Sequence, residues 1–516
     1  MMDFLNKRGI IDTANLAMQA FSAVPPCAAP VARYGRLHKD VLAGKHFSYD
    51  FISVAGNCPE GNGTFMNIIL AGCGKVGNAL VHKLLEEGHD LTVIDTDAAK
   101  IQHITEEVDV MGVVGNGSSI SVLTEAGLES ADVFIAVTGS DELNLLCCMF
   151  AKKVGSCRAV ARVRNPMYSR EMEFIKQQLG ISTIINPELA TAREISRLLR
   201  FPAASKIDTF AGGKVQLIKF QLPEGILDRP LKLSEFSAKM SANVLVCAVE
   251  RDNAVIIPDG EFCLMEKDMV TVLASRENAA VFFKKLGLPT APVKGVLIVG
   301  GGTIGYYLAK ELLAHHIRVR IVEKDAARCE LLNEMLPEAV ILHGDGTDRR
   351  LLLSEGLHLA EAFVSLTNMD EENVMLAMFA KKHGITKSAT KINRLEFDDI
   401  IEELDIGSVV YPKYITCDFI VQHIRALQNE SGSNVKTLYR ILDDRVEALE
   451  FTVHEESKVT EKPLADLHLK PHQLICCIMR GNKVIIPGGQ DQIQVGDSVI
   501  VVTLEKGLHD IRDILA

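Results

Sequence analysis

The sequence has no tryptophan, and phenylalanine and tyrosine bring its aromatic content to only 5%. It has no apolar run near the ~18–20 residues that a membrane-spanning helix needs. Twelve cysteines are present but scattered, and the adjacent pairs Cys147-Cys148 and Cys476-Cys477 lack metal-ligand spacing. Most lie in apolar runs, where cysteine acts as a small hydrophobe, which points to a reducing, cytoplasmic compartment. There is no GxxxxGK[ST] loop, which excludes a nucleotide hydrolase of that type. The net charge of −12 over 516 residues argues against a nucleic-acid partner, because that binding depends on Lys and Arg displacing counterions.

What is there is one unit written twice. The first copy opens with Gly72-Cys73-Gly74-Lys75-Val76-Gly77 after the apolar run Asn67–Leu70. The second opens with Gly300-Gly301-Gly302-Thr303-Ile304-Gly305 after Val296–Val299. An acidic residue follows each turn at the same interval of 23 positions, Asp95 and Glu323. Further matches are Gly115-Asn116-Gly117 with Gly344-Asp345-Gly346, Asp141-Glu142 with Asp370-Glu371, and Ala151-Lys152-Lys153 with Ala380-Lys381-Lys382. These lie one residue further apart, so a single insertion precedes the second glycine pair.

Short apolar runs at Leu91–Ile94, Val110–Val114 and Val133–Val137 alternate with helical spacing such as Val76–Leu85. That pattern predicts a parallel sheet with helices on both faces, repeated from Val296 to about Ile392. A segment of alternating apolar strands follows each copy, Lys214–Ala274 and Leu438–Thr503. They share Ile256-Ile257-Pro258 with Ile485-Ile486-Pro487, Gly260 with Gly489, and Asp268 with Asp497. The predicted fold class is α/β: two Rossmann-like doubly wound parallel-sheet domains, each followed by a small α+β domain. The expected bounds are 66–200, 205–290, 294–430 and 435–516. Residues 1–65, with Pro25-Pro26 and little periodicity, read as an extension preceding the domain start at Met66.

The glycines have a physical purpose. The first permits a tight turn, the second lets backbone approach a pyrophosphate, and the third lets helix pack on strand. The helix that follows directs free N–H groups and its positive dipole end at the phosphates. Asp95 and Glu323 are placed to accept hydrogen bonds from ribose hydroxyls, and Asp95 would repel a 2′-phosphate, favouring NAD(H) or another adenosine nucleotide over NADP. Ligands of open α/β sheets bind at strand ends, which adds Asn116, Thr138, Gly139 and Arg162, then Asp345, Thr367, Asn368 and Lys391. The alternative is that the glycines serve packing alone, Asn116 and Asp345 shape turns, and Arg162 is a surface charge. Cys73, His82 and His315-His316 read as packing or turn residues. The smaller segments hold no evident His–acid pair, Tyr-x-x-x-Lys or zinc cluster, so the proton donor a dehydrogenase needs is not apparent.

The glycine turn with Asp95, the Gly115-Asn116-Gly117 turn and the Asp141-Glu142-Leu143-Asn144 helix start resemble the N-terminal domain of the RCK (regulator of potassium conductance) family. Residues 205–290 and 435–516 resemble its C-terminal domain. The doubled layout from Met66 onward is similar to that of Trk-type potassium-uptake regulatory subunits. The resemblance implies a non-enzymatic, cytoplasmic protein, peripheral on the inner face of the plasma membrane. It also implies a homo-oligomeric ring, a dimer or tetramer of two-repeat chains, beneath a membrane potassium channel subunit of TrkH or TrkG type. The implied ligands are NAD(H), and ATP or ADP as well. The sites it carries over are Gly72, Cys73, Gly74, Lys75, Val76, Asp95, Thr138, Gly139 and Arg162. In the second copy they are Gly300, Gly301, Gly302, Thr303, Ile304, Glu323 and Thr367. An NAD-dependent oxidoreductase and a regulator of another transporter are the readings left beside it.

Overall fold

Each glycine turn ends a short, largely buried strand and starts a helix, and this junction organises both large sheets. The computed structural model describes residues 65–516 apart from 169–170, 228, 241–242, 253, 395–400, 402–403, 405, 430–434, 442–444, 506 and 509. The extension expected over residues 1–65 lies outside the described residues but for Phe65.

The first sheet is β1 (Asn67–Ala71), β2 (Asp90–Asp95), β3 (Met111–Val114), β4 (Val133–Ala136), β5 (Arg158–Arg162) and β6 (Thr183–Ile185). Its order is β3-β2-β1-β4-β5-β6 with all pairings parallel. That is the doubly wound order whose switch point lies between β1 and β4. Its helices are α1 (Lys75–Glu86), α2 (Ala98–Glu107), α3 (Ile120–Glu125), α4 (Asp141–Val154), α5 (Met172–Leu179) and α6 (Pro187–Arg200).

A five-stranded antiparallel sheet follows, from β7 (Lys206–Phe210), β8 (Val215–Gln221), β10 (Val244–Arg251), β11 (Ala254–Ile256) and β13 (Met269–Ser275). It is flanked by the two-stranded pair β9 (Leu231–Lys232) and β12 (Cys263–Leu264), and by α7 (Leu233–Met240) and α8 (Arg276–Lys285).

The second parallel sheet repeats the first with β14 (Gly295–Val299), β15 (Arg318–Glu323), β16 (Val340–His343), β17 (Ala362–Ser365), β18 (Lys387–Lys391) and β19 (Ser408–Val410), in the order β16-β15-β14-β17-β18-β19. Its helices are α9 (Thr303–Ala314), α10 (Ala326–Met335), α11 (Arg349–Ser354), α12 (Asp370–Lys382) and α13 (Pro412–Asn429). The last sheet comprises β20 (Val435–Ile441), β21 (Val446–Thr452), β22 (Gln473–Arg480), β23 (Lys483–Ile485) and β24 (Ser498–Thr503).

Two features tie the halves together. The closing helices are exchanged. Helix α6, which follows the first sheet, buries Ala192, Ile195, Leu198 and Leu199 in one core with Tyr306, Leu308 and Leu312 of α9. Helix α13, which follows the second sheet, buries Cys417, Ile420, Val421, Ile424 and Leu427 against Leu80, Val81 and Leu84 of α1. At about 1.5–3 kcal/mol for each large apolar side chain buried, with discounts for a compact unfolded chain, each exchanged helix is integral to the fold. Arg425 Nε adds a hydrogen bond of 2.6 Å to Glu87 Oε2.

The two small sheets also pack face to face. Phe210, Val215, Leu217 and Leu273 share a core with Val446, Ala448, Ile500 and Val502. Each sheet carries a bulge at a matching residue, Cys247 and Cys476, and both thiols are buried in that core. In each sheet a buried aspartate takes a two-pronged arginine: Arg251 to Asp268 at 2.7 and 2.7 Å, and Arg480 to Asp497 at 2.9 and 2.8 Å. Such paired charge-assisted bonds hold the final strand's entry loop in place. Asp268 and Asp497 stand out in the sequence as a repeat, and their partners Arg251 and Arg480 recur at the same offset of 229 residues.

Candidate functional site

The first pocket forms at the C-terminal edge of the first sheet. Gly72 adopts φ +108°, and a Cβ there would lie 2.9 Å from the Thr138 backbone N. A Cβ on Gly77 would sit 1.9 Å from the Gly72 carbonyl oxygen, so helix α1 meets the turn with no room for any side chain. Gly74, by contrast, faces open space, and a Cβ added there would meet nothing within 4 Å. It is the N-cap of α1, has no side-chain cap, and no acidic residue occupies the first helical turn. The first-turn N–H groups, with Lys75 and Val76 carrying two of them, are therefore available to an anion.

Asp95, at the end of β2, holds the turn from below. Its Oδ2 accepts the Cys73 N–H at 2.7 Å and its Oδ1 accepts the Asp97 N–H at 2.9 Å. A carboxylate has about four lone-pair sites, so both oxygens can still accept a ribose hydroxyl. Cys73 is buried, and burial, then the Asp95 charge, raises its thiol pKa; it is a packing residue. Asn116 Oδ1 accepts the Ser118 N–H at 3.0 Å, which is the turn-forming role.

Across the switch point, Thr138 and Gly139 follow β4. Thr138 N and its hydroxyl both donate to Asn144 Oδ1 at 2.7 Å, and Asn144 Nδ2 donates to the Arg162 carbonyl at 2.9 Å. Arg162, the last residue of β5, turns its guanidinium back to the Thr138 carbonyl. Burial lowers its pKa, with the Arg164 charge adding to the effect. Asp141 at the start of α4 accepts the backbone N–H groups of Arg164 and Asn165, each at 2.8 Å.

The second pocket repeats the frame. Gly300 has φ +106°, a Gly305 Cβ would lie 2.3 Å from the Gly300 oxygen, and Gly302 is an open N-cap with no acid in the first turn of α9. Thr303 and Ile304 begin that helix. Glu323 Oε2 accepts the Gly301 N–H at 2.7 Å and Oε1 accepts the Asp325 N–H at 2.8 Å. Asn373 braces Thr367 and the Lys391 carbonyl as Asn144 does in the first copy. The lining differs. Arg328 Nε donates to the Gly301 carbonyl at 2.8 Å, and Lys324 meets Asp345 at 2.9 Å. The Lys324 hydrogen bond, with those of Thr347, holds the Asp345 carboxyl well below the usual range.

Every site residue expected from the sequence thus lies at the strand-end edge of its own sheet. Sequence reasoning missed the bracing role of Asn144 and Asn373 and the acceptor role of Asp141 and Asp370. Their constant offset of 229 residues was the available signal. It also missed Arg164, Lys324 and Arg328, which stand outside any repeated motif.

Two doubly wound sheets with open, acid-braced glycine turns, each followed by a small antiparallel sheet, define a tandem RCK-type chain. The TrkA-N domain model matches residues 68–187 and 296–412, and the TrkA-C domain model matches 217–287 and 448–516. The chain belongs to the TrkA family. It is 34% identical over 452 residues to the Trk system potassium uptake protein TrkA of Halomonas elongata, covering 87% of this chain and 98% of that one. It is 31% identical to the TrkA homolog of Archaeoglobus fulgidus, covering 87% of this chain and 100% of the relative. Among solved structures, the GsuK RCK domain aligns with a TM-score of 0.56 at 17% identity, covering 86% of this chain and 93% of that one. The GsuK channel bound to NAD aligns equally well over 86% of this chain and 77% of that one. At such identity the likeness speaks for the fold.

Proposed function

We propose that the chain is the nucleotide-sensing regulatory subunit of a Trk-type potassium-uptake system, cytoplasmic and peripheral on the inner face of the plasma membrane. The observation that carries this is the doubled pocket: an uncapped, acid-free helix start beside a glycine turn whose N–H is held by Asp95 or Glu323. The names of the relatives support potassium uptake as the process, and the NAD-bound GsuK channel supports NAD(H) as a ligand for this architecture. No helix among the described residues is long and apolar enough to cross a membrane. In this reading, conduction belongs to a separate membrane subunit of TrkH or TrkG type.

NAD(H) or an adenine nucleotide binds with its phosphates at Gly72–Val76 or Gly300–Ile304 and its ribose on Asp95 or Glu323. Thr138, Gly139 and Arg162, and Thr367 in the second copy, close the other side. The role is regulatory rather than catalytic. Chains assemble into a homo-oligomeric ring. Exposed Met369, Met375 and Met378 around α12, and Met111, Val114 and Ile120 near α3, offer the adaptable apolar surface such contacts use. A ligand gates only by binding one ring shape better than another, and a tenfold shift takes about 1.4 kcal/mol of differential affinity.

The test is calorimetric titration of the full chain with NADH, NAD, ATP and ADP beside Asp95→Ala and Glu323→Ala, followed by potassium uptake in cells carrying each variant. Two saturable sites, lost one at a time, with uptake altered, are expected. Binding and uptake indifferent to both substitutions would overturn the reading.

A further inference from the structure

The two pockets share a backbone frame but keep their uncommitted cations in different places. In the first, Lys75 opens α1, is exposed, and has no hydrogen bond or ion pair among the described residues. Its counterpart at the start of α9 is the uncharged Thr303. On the acid's side of the turn the order reverses. Lys100 of α2 is turned to its own N-cap, with Nζ 3.5 Å from Asp97 Oδ2. Arg328 of α10 follows Lys100 by the same 228 residues that separate Glu323 from Asp95. Its Nε donates instead to the Gly301 carbonyl at 2.8 Å.

That bond fixes the guanidinium against the middle residue of the second glycine turn. The Arg328 backbone N–H is tied as well, to Asp325 Oδ1 at 2.7 Å, so the half-buried side chain leaves from an anchored helical turn. Its two Nη groups make no hydrogen bond or ion pair among the described residues. Neighbouring Lys324 is already engaged by Asp345 at 2.9 Å. A planar guanidinium held at one edge and open at the other is a fork for two oxygens of one anion. Lys75 offers a point charge on a flexible stem.

A terminal phosphate suits such a fork better than an internal one. A phosphomonoester carries about −1.5 to −2 charges near pH 7 and presents three acceptor oxygens. Each phosphate inside NAD(H) is bridged on two sides, so it carries less charge and fewer free oxygens. We propose that Arg328 makes the second pocket selective for adenosine ligands bearing a phosphomonoester over NAD(H), a distinction the first pocket does not make. This rests on the nucleotide-binding reading above and names the ligand class of its second site. Glu323 holds the ribose, the start of α9 takes the bridging phosphate, and the Nη pair takes the terminal one. Glu323 repels a 2′-phosphate as Asp95 does, which favours the β-phosphate of ADP over the ribose phosphate of NADPH.

Calorimetric titration of the full chain with ADP, NADPH and NADH tests this. Asp95→Ala reports the second pocket and Glu323→Ala the first. In Asp95→Ala, ADP is expected to bind about tenfold tighter than NADH, the scale of a hydrogen bond to a charged group. In Glu323→Ala no such preference is expected. Adding Arg328→Gln to Asp95→Ala keeps an amide donor for the Gly301 carbonyl and removes the charged fork. The ADP preference then falls to within about twofold. Arg328→Gln in the otherwise unaltered chain gives a second reading: one ADP binding event weakens about tenfold and the other holds. A preference for NADPH in place of ADP, lost in the same variants, upholds the role of Arg328 and puts the phosphate on the ribose. No preference over NADH in Asp95→Ala, or one that survives Arg328→Gln, overturns the proposal and leaves nucleotide sensing standing. Failure of all three ligands to bind any form overturns both.

Discussion

Between the two pocket glycines the first copy carries Cys73 and the second carries Gly301, and the facing elements decide which is possible. A Cβ on Gly301 would lie 2.5 Å from Leu332 Cδ1, 3.0 Å from Glu323 Oε2 and 3.2 Å from Glu323 Cβ. In the first copy the residues at those places are Ile104 and the shorter Asp95, and Cys73 fits with its thiol buried. Both acids nonetheless hold the turn N–H at 2.7 Å. A longer acid is matched by a thinner turn, so the backbone frame is kept while its components change together. The charge lining diverges more. Lys324, Asp345 and Arg328 surround the second turn, where the first has Thr96, Asn116 and Lys100. One frame thus carries two differently charged linings.

The largest break in this comparison comes from the glycine that touches backbone. Gly77→Ala and Gly305→Ala both drive a methyl into a carbonyl oxygen that cannot move away. Each is expected to cost more than about 4 kcal/mol, the first more than the second because its contact is closer. Denaturant melts of the two variants check the order. Equal or small losses would show that the helix start can shift.

A second asymmetry is electrostatic. Lys387 in β18 is buried, donating to the Ala204 carbonyl at 2.6 Å and the Ser408 hydroxyl at 3.3 Å, whereas its counterpart Arg158 is exposed. Burial lowers the Lys387 pKa to about 8 from 10.5. Between those values the unfolded chain holds a proton that the folded one has lost, so stability contributed by this group rises with pH over that window. The rise is expected to be up to about 3 kcal/mol. Lys387→Met removes it, and Arg158→Met does not. Melts at pH 8 and pH 10 of the three proteins decide the matter, and an unchanged slope in Lys387→Met would count against it.

Exchanging the turn residue is milder. Gly301→Cys should destabilise by about 1–3 kcal/mol, as overpacking does, with Leu332→Ala in the same chain restoring part of the turn's freedom. If Gly301→Cys is as stable as the parent, the thin second turn has another cause. The smallest effect is expected for Lys324→Ala. This pair with Asp345 is exposed and screened by solvent, so the change should appear in second-pocket ligand affinity and not in the melt.

The repeat made most of this frame legible in advance. Glycines, acids and strand-end residues recur at near-constant offsets, and each has one geometric use that a spacing can reveal. The helix exchange was not legible. Periodicity in α6 and α13 says that a face is buried and says nothing of which sheet buries it. The charges were hidden for a related reason. Lys387 looks like a surface residue in sequence, and only the packing of β18 against its neighbours buries it.

The exchanged helices also set a timetable for synthesis. The first sheet is complete once Ile185 has been made and packs against one side of α1, but the rest of that helix's apolar face takes its cover from residues Cys417 to Leu427. At roughly 5–20 residues per second, the ribosome leaves that face waiting for tens of seconds. During that interval it must be sheltered by a chaperone or by a neighbouring chain's own α13. Nascent chains stalled before Pro412 should be cut by protease within α1, and chains released after Asn429 should resist. Two halves that look independent in sequence would then be shown to mature only as a pair.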